Sequence, residues 1–346
     1  MITGCDTGFG HHLARRLDNC GFTVYAGVLK ESGQGATSLL LEQSERLHVI
    51  KLDVTEDNDV TRAVSHVKDI CRRGELWAIV NNAGFFIPGD VELCTLSQYK
   101  RIAEVNLYGV IRITKAFLPF IRESRGRIIN MSSIRGLYSR PGVIAYSLTK
   151  FGIEALSDAL RVEMKKFGVK VSIIEPGVFD GCTAISSPEQ IERLKAEVEE
   201  MWENATEEVR FTYGREYFNS MIKKQSEKGT GPWISPDPVL DAILDALLNQ
   251  KPKARYLIGG AGWPIDFRTA IARVYRYLPE SLGDALLAKF YKGSGLQKHS
   301  IFQSGMHYHP RFEDATSNKY EYCLMTKSEL SLTYQAMKSS ESEEKN

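Results

Sequence analysis

Apolar positions along this chain follow two rhythms. Short runs rich in Val, Ile and aromatic residues, at 22–29, 47–54, 77–81, 126–131 and 169–174, read as buried strands. Between them, residues 11–19, 59–72, 96–122 and 145–167 repeat their apolar positions at helical spacing, the third stretch broken only near Pro119. Strands that alternate with helices predict an α/β fold built on a doubly wound parallel sheet, with the ligand at the carboxyl ends of the strands.

The rhythm changes after residue 181. Residues 181–235 are charged and helical (ERLKAEVEEMWENATEEVRF) and close on Gly229, Gly231 and Pro232, as an inserted helical lid would. Residues 236–248 predict an amphipathic helix. Residues 263–291 mix Ile, Val, Leu and Tyr with Arg and Lys, a segment that can pack on the core or make peripheral contact with a membrane. The expected organisation is one domain over 1–292, with lid and C-terminal helices, and a mostly disordered tail over 293–346, where apolar periodicity fades and the chain ends in SSESEEKN. His307 and His309 lie in that tail without further ligands nearby, and no metal site is assigned.

Charge narrows the partners. With 44 Lys and Arg against 43 Asp and Glu, no net field holds the chain on nucleic acid, and a small molecule is the expected partner. Six scattered cysteines form no CxxC pair or disulfide framework. No apolar run reaches the roughly 18 residues of a spanning helix, and no charged-then-apolar leader is present, so the chain as given reads as soluble or peripheral. The glycine run begins at Gly4, which leaves Met1, Ile2 and Thr3 of a strand that ordinarily takes about five or six residues. The N-terminus therefore reads as cut, and localisation is not readable.

The run TGCDTGFG places Gly4, Gly8 and Gly10, with Asp6 and Phe9 among them, between a strand and a helix, where bare backbone can approach a pyrophosphate at the helix N-terminus. Plain turns use glycine too, so this motif alone carries little weight. At the end of the second strand Gly27, Val28 and Leu29 offer neither an acid for a ribose hydroxyl nor an arginine for a 2′-phosphate. Asp6 adds negative charge, so NAD is favoured over NADP, with Lys30 as the residue that could reverse this. Asp53, followed by Val54, ends the third strand, where it can accept from an adenine amino group or cap a helix. Asn82, Ala83 and Gly84 end the next strand with Asn81, a cofactor ledge or a simple turn.

Tyr146 and Lys150 are four apart on a helix and share a face. A tyrosine with a free pKa of about 10 is a poor base, and a neighbouring ammonium is what would make it a better one. Ser133, thirteen residues earlier at a strand end, can hold a substrate oxygen, with Ser132 as its competitor. Asn106, inside a predicted helix, can bend it or simply pack.

Taken together, TGCDTGFG, Asp53, NNAG, Asn106, Ser133, YSLTK and the Pro176-Gly177 pair with Val178 resemble, in order and spacing, the short-chain dehydrogenase/reductase family over residues 1 to about 290. The resemblance implies a Rossmann-like fold, hydride transfer between a nicotinamide cofactor and an alcohol or ketone, and a tetrad. In it Tyr146 is the general acid/base, Lys150 lowers its pKa and binds the nicotinamide ribose, Ser133 orients the substrate and Asn106 holds a relay water. Many relatives place a threonine near position 181; here Gly181 stands there and Thr183 follows. Stretches such as GDVELCTLSQYKRIAEVNLYG resemble the branch of D-β-hydroxybutyrate, retinol and hydroxysteroid dehydrogenases. That branch implies NAD, membrane association in mitochondria or endoplasmic reticulum, and homo-oligomers paired through helices near 100–120 and 145–165.

Substrate choice stays open at this level. A small hydroxy acid such as 3-hydroxybutyrate needs a cation, for which Arg135, Arg140, Arg193 and Lys223 are available. A retinoid or steroid needs an apolar trough, which Phe85, Phe86, Phe179, Trp202 and Tyr217 could line. The competing reading from another class is a catalytically impaired binding or scaffold protein whose shortened first strand leaves the cradle poorly supported.

Overall fold

The computed structural model describes residues 1–42, 44–71, 75–179, 182–183, 188–229, 234–260, 266–291, 306–311 and 321–326. Five parallel strands follow the apolar runs and a sixth joins them: β1 (Val24–Val28), β2 (Leu47–Lys51), β3 (Ala78–Asn81), β4 (Arg127–Met131), β5 (Lys170–Pro176) and, last, β6 (Arg255–Ile258). β1 pairs with β2, and β3, β4, β5 and β6 pair in that order. Ile2 bridges Ala26 of β1 on one side and Val80 of β3 on the other. The short N-terminal segment thus joins the two groups into one doubly wound sheet whose order reverses beside it, the switch point at which such folds bind ligands.

Helices cover both faces because β4 and all but the first residue of β5 are buried on both. α1 (Gly8–Asn19), α2 (Gln34–Glu42) and α9 (Asp237–Leu248) pack Leu13, Leu39 and Ile243 against one face. α3 (Asp57–Ile70), α5 (Gly109–Ser124) and α6 (Ile144–Met164) pack Val67, Phe117 and Leu160 against the other. Two elements were not legible in the periodicity, α2 and the four-residue edge strand β6, both too short for a pattern to accumulate.

The break expected near Pro119 lies elsewhere. α5 runs through Pro119, and the helical stretch is instead interrupted by a wider π turn, Glu104–Tyr108, between α4 (Leu96–Ala103) and α5. Pro119 faces solvent, where a missing amide is tolerated, whereas the π turn carries the buried Asn106 inward. The predicted lid contains α7 (Pro188–Asn204) and α8 (Glu207–Gly229), which bury Val198, Met201 and Phe218 together. It is clamped to α4: Gln98 Nε2 donates to the Glu197 carbonyl at 2.8 Å, and Arg101 bonds both Glu197 and Glu200.

α10 (Phe267–Val274) and α11 (Glu280–Tyr291) follow. Within the tail expected to be mostly disordered, β7 (Met306–Arg311) and β8 (Glu321–Thr326) form an antiparallel pair; the rest of the tail lies outside the described residues. Cross-strand backbone bonding needs no apolar periodicity, so this pair leaves no mark in the residue pattern.

Candidate active site

The cradle is assembled from the N-terminal segment and the end of β3. Thr3 Oγ1 accepts from the amides of Asn82 and Ala83, each at 3.0 Å, and Asn82 Nδ2 donates to the Thr3 and Gly4 carbonyls at 2.9 Å. Ile2 is buried; its backbone bonds Tyr25 and Gly27 of β1, while Met1 and Thr3 on either side of it bond Val80 of β3, and these bonds hold the loop. Gly4 and Gly8 adopt φ of 69° and 63°, values that disfavour other residues. A Cβ on Gly10 would lie 2.3 Å from the Gly4 carbonyl oxygen. Thr7 occupies the N-cap of α1 without a side-chain cap bond, which leaves the first-turn amides available to an anion. This is an observed fit to a pyrophosphate-bearing cofactor.

Asp6 is not directed into that cradle as a charge. Its carboxylate accepts from the amides of Leu29 (2.9 and 3.0 Å) and Lys30 (3.3 Å), fixing the end of β1. Asp53 is half-buried and uses one oxygen on the amide and hydroxyl of Thr55, while Glu56 takes the N-cap of α3. Val54 packs under Gly109. Gly84 lies against Asn106, where a Cβ would press its side-chain oxygen at 3.1 Å, and Gly177 lies closer still against Asp266 and Thr269, each 2.8 Å from an added Cβ. Pro176 ends β5, and Val178 packs beside Leu257 and Tyr275. Phe9 packs edge-on against Phe179, ring centroids 5.5 Å apart, which puts Phe179 beside the cradle and not in the expected trough. Thr183 donates its hydroxyl to the Phe179 carbonyl; Gly181 lies outside the described residues.

At the carboxyl ends of β4 and β5 the tetrad residues converge. Successive residues leaving β4 point to opposite sides, which separates the two serines: Ser133 is within hydrogen-bonding reach of Tyr146, whereas Ser132 is within reach of Glu154. Lys150 is buried, donates to the Met131 carbonyl at 2.8 Å and lies 5.4 Å from the centre of the Tyr146 ring. Burial pulls its ammonium down to about 8, with the Glu154 charge opposing. Burial likewise pushes the Tyr146 phenol up to about 12, against the Ser133 hydrogen bond and the Arg135 charge. Burial thus outweighs the Ser133 hydrogen bond and the Arg135 charge, and the lowering expected from Lys150 does not show in the chain alone.

The Asn106 side chain is already committed. It accepts from the Phe85 amide, donates to the Phe85 carbonyl, both at 2.9 Å, and donates to Thr149 Oγ1 at 3.2 Å. Thr149 in turn donates to the Tyr146 carbonyl at 2.7 Å. Asn106 thus joins the π turn, the segment that leaves β3 and the helix of Tyr146.

Of the four cations weighed for a substrate carboxylate, two are engaged elsewhere. Arg193 stacks on Phe85 at 3.8 Å and sits 3.9 Å from Glu197, and Lys223 is exposed beside Glu227. Arg135 stands two residues after Ser133, stacks on Tyr138 at 4.5 Å and has a buried Nη1 without a hydrogen-bond partner among the described residues. Burial lowers its pKa, as it lowers that of Arg140 to about 9, and Arg268 adds like charge to both. Arg268 was missed from sequence, since it lies over 130 residues from Arg135 and only folding brings them together. Glu154 and Glu175 were also missed, although Glu154 follows Lys150 by one helical turn and Glu175 is a carboxylate in an otherwise apolar strand.

A glycine cradle at the switch point, with a buried lysine and a serine-paired tyrosine at the neighbouring strand ends, defines a nicotinamide-dependent dehydrogenase acting on CH–OH groups. The chain belongs to the short-chain dehydrogenase family, whose model matches residues 1–193. It is 42% identical over 260 residues to the mitochondrial D-beta-hydroxybutyrate dehydrogenase of Mus musculus, covering 74% of this chain and 75% of that one. It is 38% identical to 17-beta-hydroxysteroid dehydrogenase type 6 of Bos taurus (84% and 87% covered) and to retinol dehydrogenase 7 of Rattus norvegicus (83% and 86% covered). Among solved structures, a short-chain dehydrogenase from Streptomyces avermitilis superposes with a TM-score of 0.60 at 27% identity, over 85% of this chain and 96% of that one.

Proposed function

We propose that this chain is an NAD-dependent dehydrogenase of small secondary hydroxy acids of the 3-hydroxybutyrate type. The observation that carries the acid specificity is Arg135, a guanidinium with a buried nitrogen unpartnered among the described residues, two residues beyond Ser133 and close enough to act on Tyr146. A substrate carboxylate there would pair with it while the hydroxyl meets Ser133 and Tyr146. The apolar alternative is less well served, because Trp202 packs edge-on against Phe218, and Tyr217 packs on Tyr213 and bonds Asp90. Phe86 remains on Tyr146, at 5.5 Å, as the apolar wall.

Tyr146 takes the alcohol proton during oxidation and returns it during reduction, Lys150 stabilises its phenolate, and Ser133 donates to the substrate oxygen. Asn106 positions Tyr146 through Thr149 and the Phe85 backbone. Gly4, Phe9, Gly10, Asn82, Ala83 and Gly84 would hold the cofactor, which supplies the hydride acceptor when bound. NAD is supported over NADP because the Asp6 carboxylate occupies the Leu29 and Lys30 amides, leaving negative charge where a 2′-phosphate would need donors. Pairing of two chains is supported by the exposed apolar stripe Leu148, Phe151, Ala155, Ala159 and Val162 on α6. Among the described residues no helix is long and apolar enough to cross a membrane; exposed Phe267, Tyr277 and Leu282 on the C-terminal segment support a peripheral contact.

The test is NADH formation by the full chain with (R)-3-hydroxybutyrate, retinol and hydroxysteroids. Turnover of the hydroxy acid that drops roughly 10²–10⁴-fold in Tyr146→Phe is expected. Turnover confined to the apolar alcohols would replace the acid reading, and tyrosine-independent turnover would remove the proposed base.

A further inference from the structure

Beneath the catalytic lysine lies a second buried group of charges. Glu154 of α6 and Glu175 of β5 are 4% and 2% exposed. Buried carboxylates need cations or donors, yet both depend on one guanidinium. Arg255 of β6 donates Nε to Glu154 Oε2 at 3.1 Å, stands 3.4 Å from Glu175 Oε1, and bonds Asp158 through Nη2 at 2.6 Å. Glu154 Oε1 and Glu175 Oε1 have no hydrogen-bond partner among the described residues, although the two carboxyls are within hydrogen-bonding reach of each other. Toward each other two ionised carboxylates are acceptors without a donor; a single proton between them satisfies both.

The other charged and polar groups around the pair are few. Lys150 precedes Glu154 by one turn, Ser132 reaches Glu154 from the end of β4, Arg161 pairs with Asp158, and the exposed Arg276 acts on Glu175. We propose that Glu154 and Glu175 share one proton and that the pair, acting through Glu154, holds Lys150 in its ammonium form. Both are positioning residues for the lysine and touch no substrate. The part concerning Lys150 rests on the catalytic reading above; the shared proton does not.

Directions of titration agree with this arrangement. Burial, reinforced by the Glu154 charge, pushes Glu175 up to about 7 against the pull of Arg255 and Arg276, and burial also raises Glu154. When pH rises through that range the shared proton leaves and a second negative charge develops near Lys150. That charge raises the lysine pKa, so the ammonium gains support as pH approaches the value at which it would otherwise deprotonate.

The experiment is a pH titration by NMR of the full chain without cofactor, carrying 13C at glutamate side-chain carboxyls and at lysine Cε. Two carboxyl signals titrating together near neutral pH are expected, the coupling vanishing in either E154Q or E175Q. Both glutamates titrating in the ordinary carboxylate range would overturn the shared proton, and that result needs no variant to fold. In E154Q the Lys150 signal should titrate lower by about one unit, as removal of a neighbouring opposite charge requires, and the high-pH fall of kcat/KM should move with it. A folded E154Q with an unchanged Lys150 titration would overturn the role of the pair. Since the titrations use no substrate, an inactive chain would sink the functional reading and leave this one separately decided.

Discussion

At the residue scale, Arg135 shows how a side chain can serve a ligand better than a fold. A structural arginine would saturate its donors on carboxylates or carbonyls; this one stacks on Tyr138 and keeps a buried nitrogen unpartnered, with Arg268 adding repulsion. Arg135→Met keeps the length and removes the charge. It should raise KM for a hydroxy acid roughly ten- to a hundredfold, the equivalent of about 1.5–3 kcal/mol for a charged hydrogen bond, while an uncharged secondary alcohol is turned over with KM unchanged. Steady-state kinetics on the two substrates separates substrate binding from general damage, because damage would move both.

Elements explain why the cradle tolerates so little change. α1 starts where Gly10 meets the Gly4 carbonyl and Asn82, so the helix N-terminus, the loop and the end of β3 are one packed unit. Gly10→Ala places a methyl 2.3 Å from the Gly4 oxygen, and the loop must move away. Calorimetric titration should show NAD affinity falling at least about tenfold, or about 1.4 kcal/mol, with secondary structure by circular dichroism retained. At the amino end of α3, Asp59 is buried and accepts from the Asp53 amide, with Lys51 and Arg62 beside it. That amide bond, opposed by burial and aided by the two cations, holds its carboxyl below the ordinary range. Its folded pKa is therefore the lower one: the stabilisation is present above the unfolded value of about 3.9 and is lost as pH falls through the folded value. Urea midpoints measured downward from pH 5 should fall less steeply in Asp59→Asn than in the parent chain, from a lower starting point.

For the whole molecule, the stripe on α6 is the surface with most to gain from a partner. Leu148 is 55% and Val162 70% exposed, and they lie on one face with Phe151, Ala155 and Ala159. Light scattering should give a dimer or larger assembly, and Phe151→Glu should shift it toward monomer by placing a charge in the interface. A monomeric parent chain would discard the pairing. Flotation with anionic vesicles tests the C-terminal surface independently, where Tyr277→Ser should weaken association.

Much of this protein was legible before folding. Parallel architecture followed from strands alternating with helices, and Tyr146 with Lys150 from a four-residue spacing, because local periodicity and turn chemistry are written in consecutive residues. Tertiary structure decided what depends on residues far apart in sequence. It seated Ile2 between β1 and β3, turned Ser133 and not Ser132 toward Tyr146, moved the helical break from Pro119 to Asn106, and assigned Asp6 to the Leu29 and Lys30 amides. It also set Arg268 beside Arg135 and Arg255 beside Glu154 and Glu175. The physical reason is that burial and long-range charge fix which hydrogen bonds and proton affinities a side chain has, and neither exists until distant segments close around it.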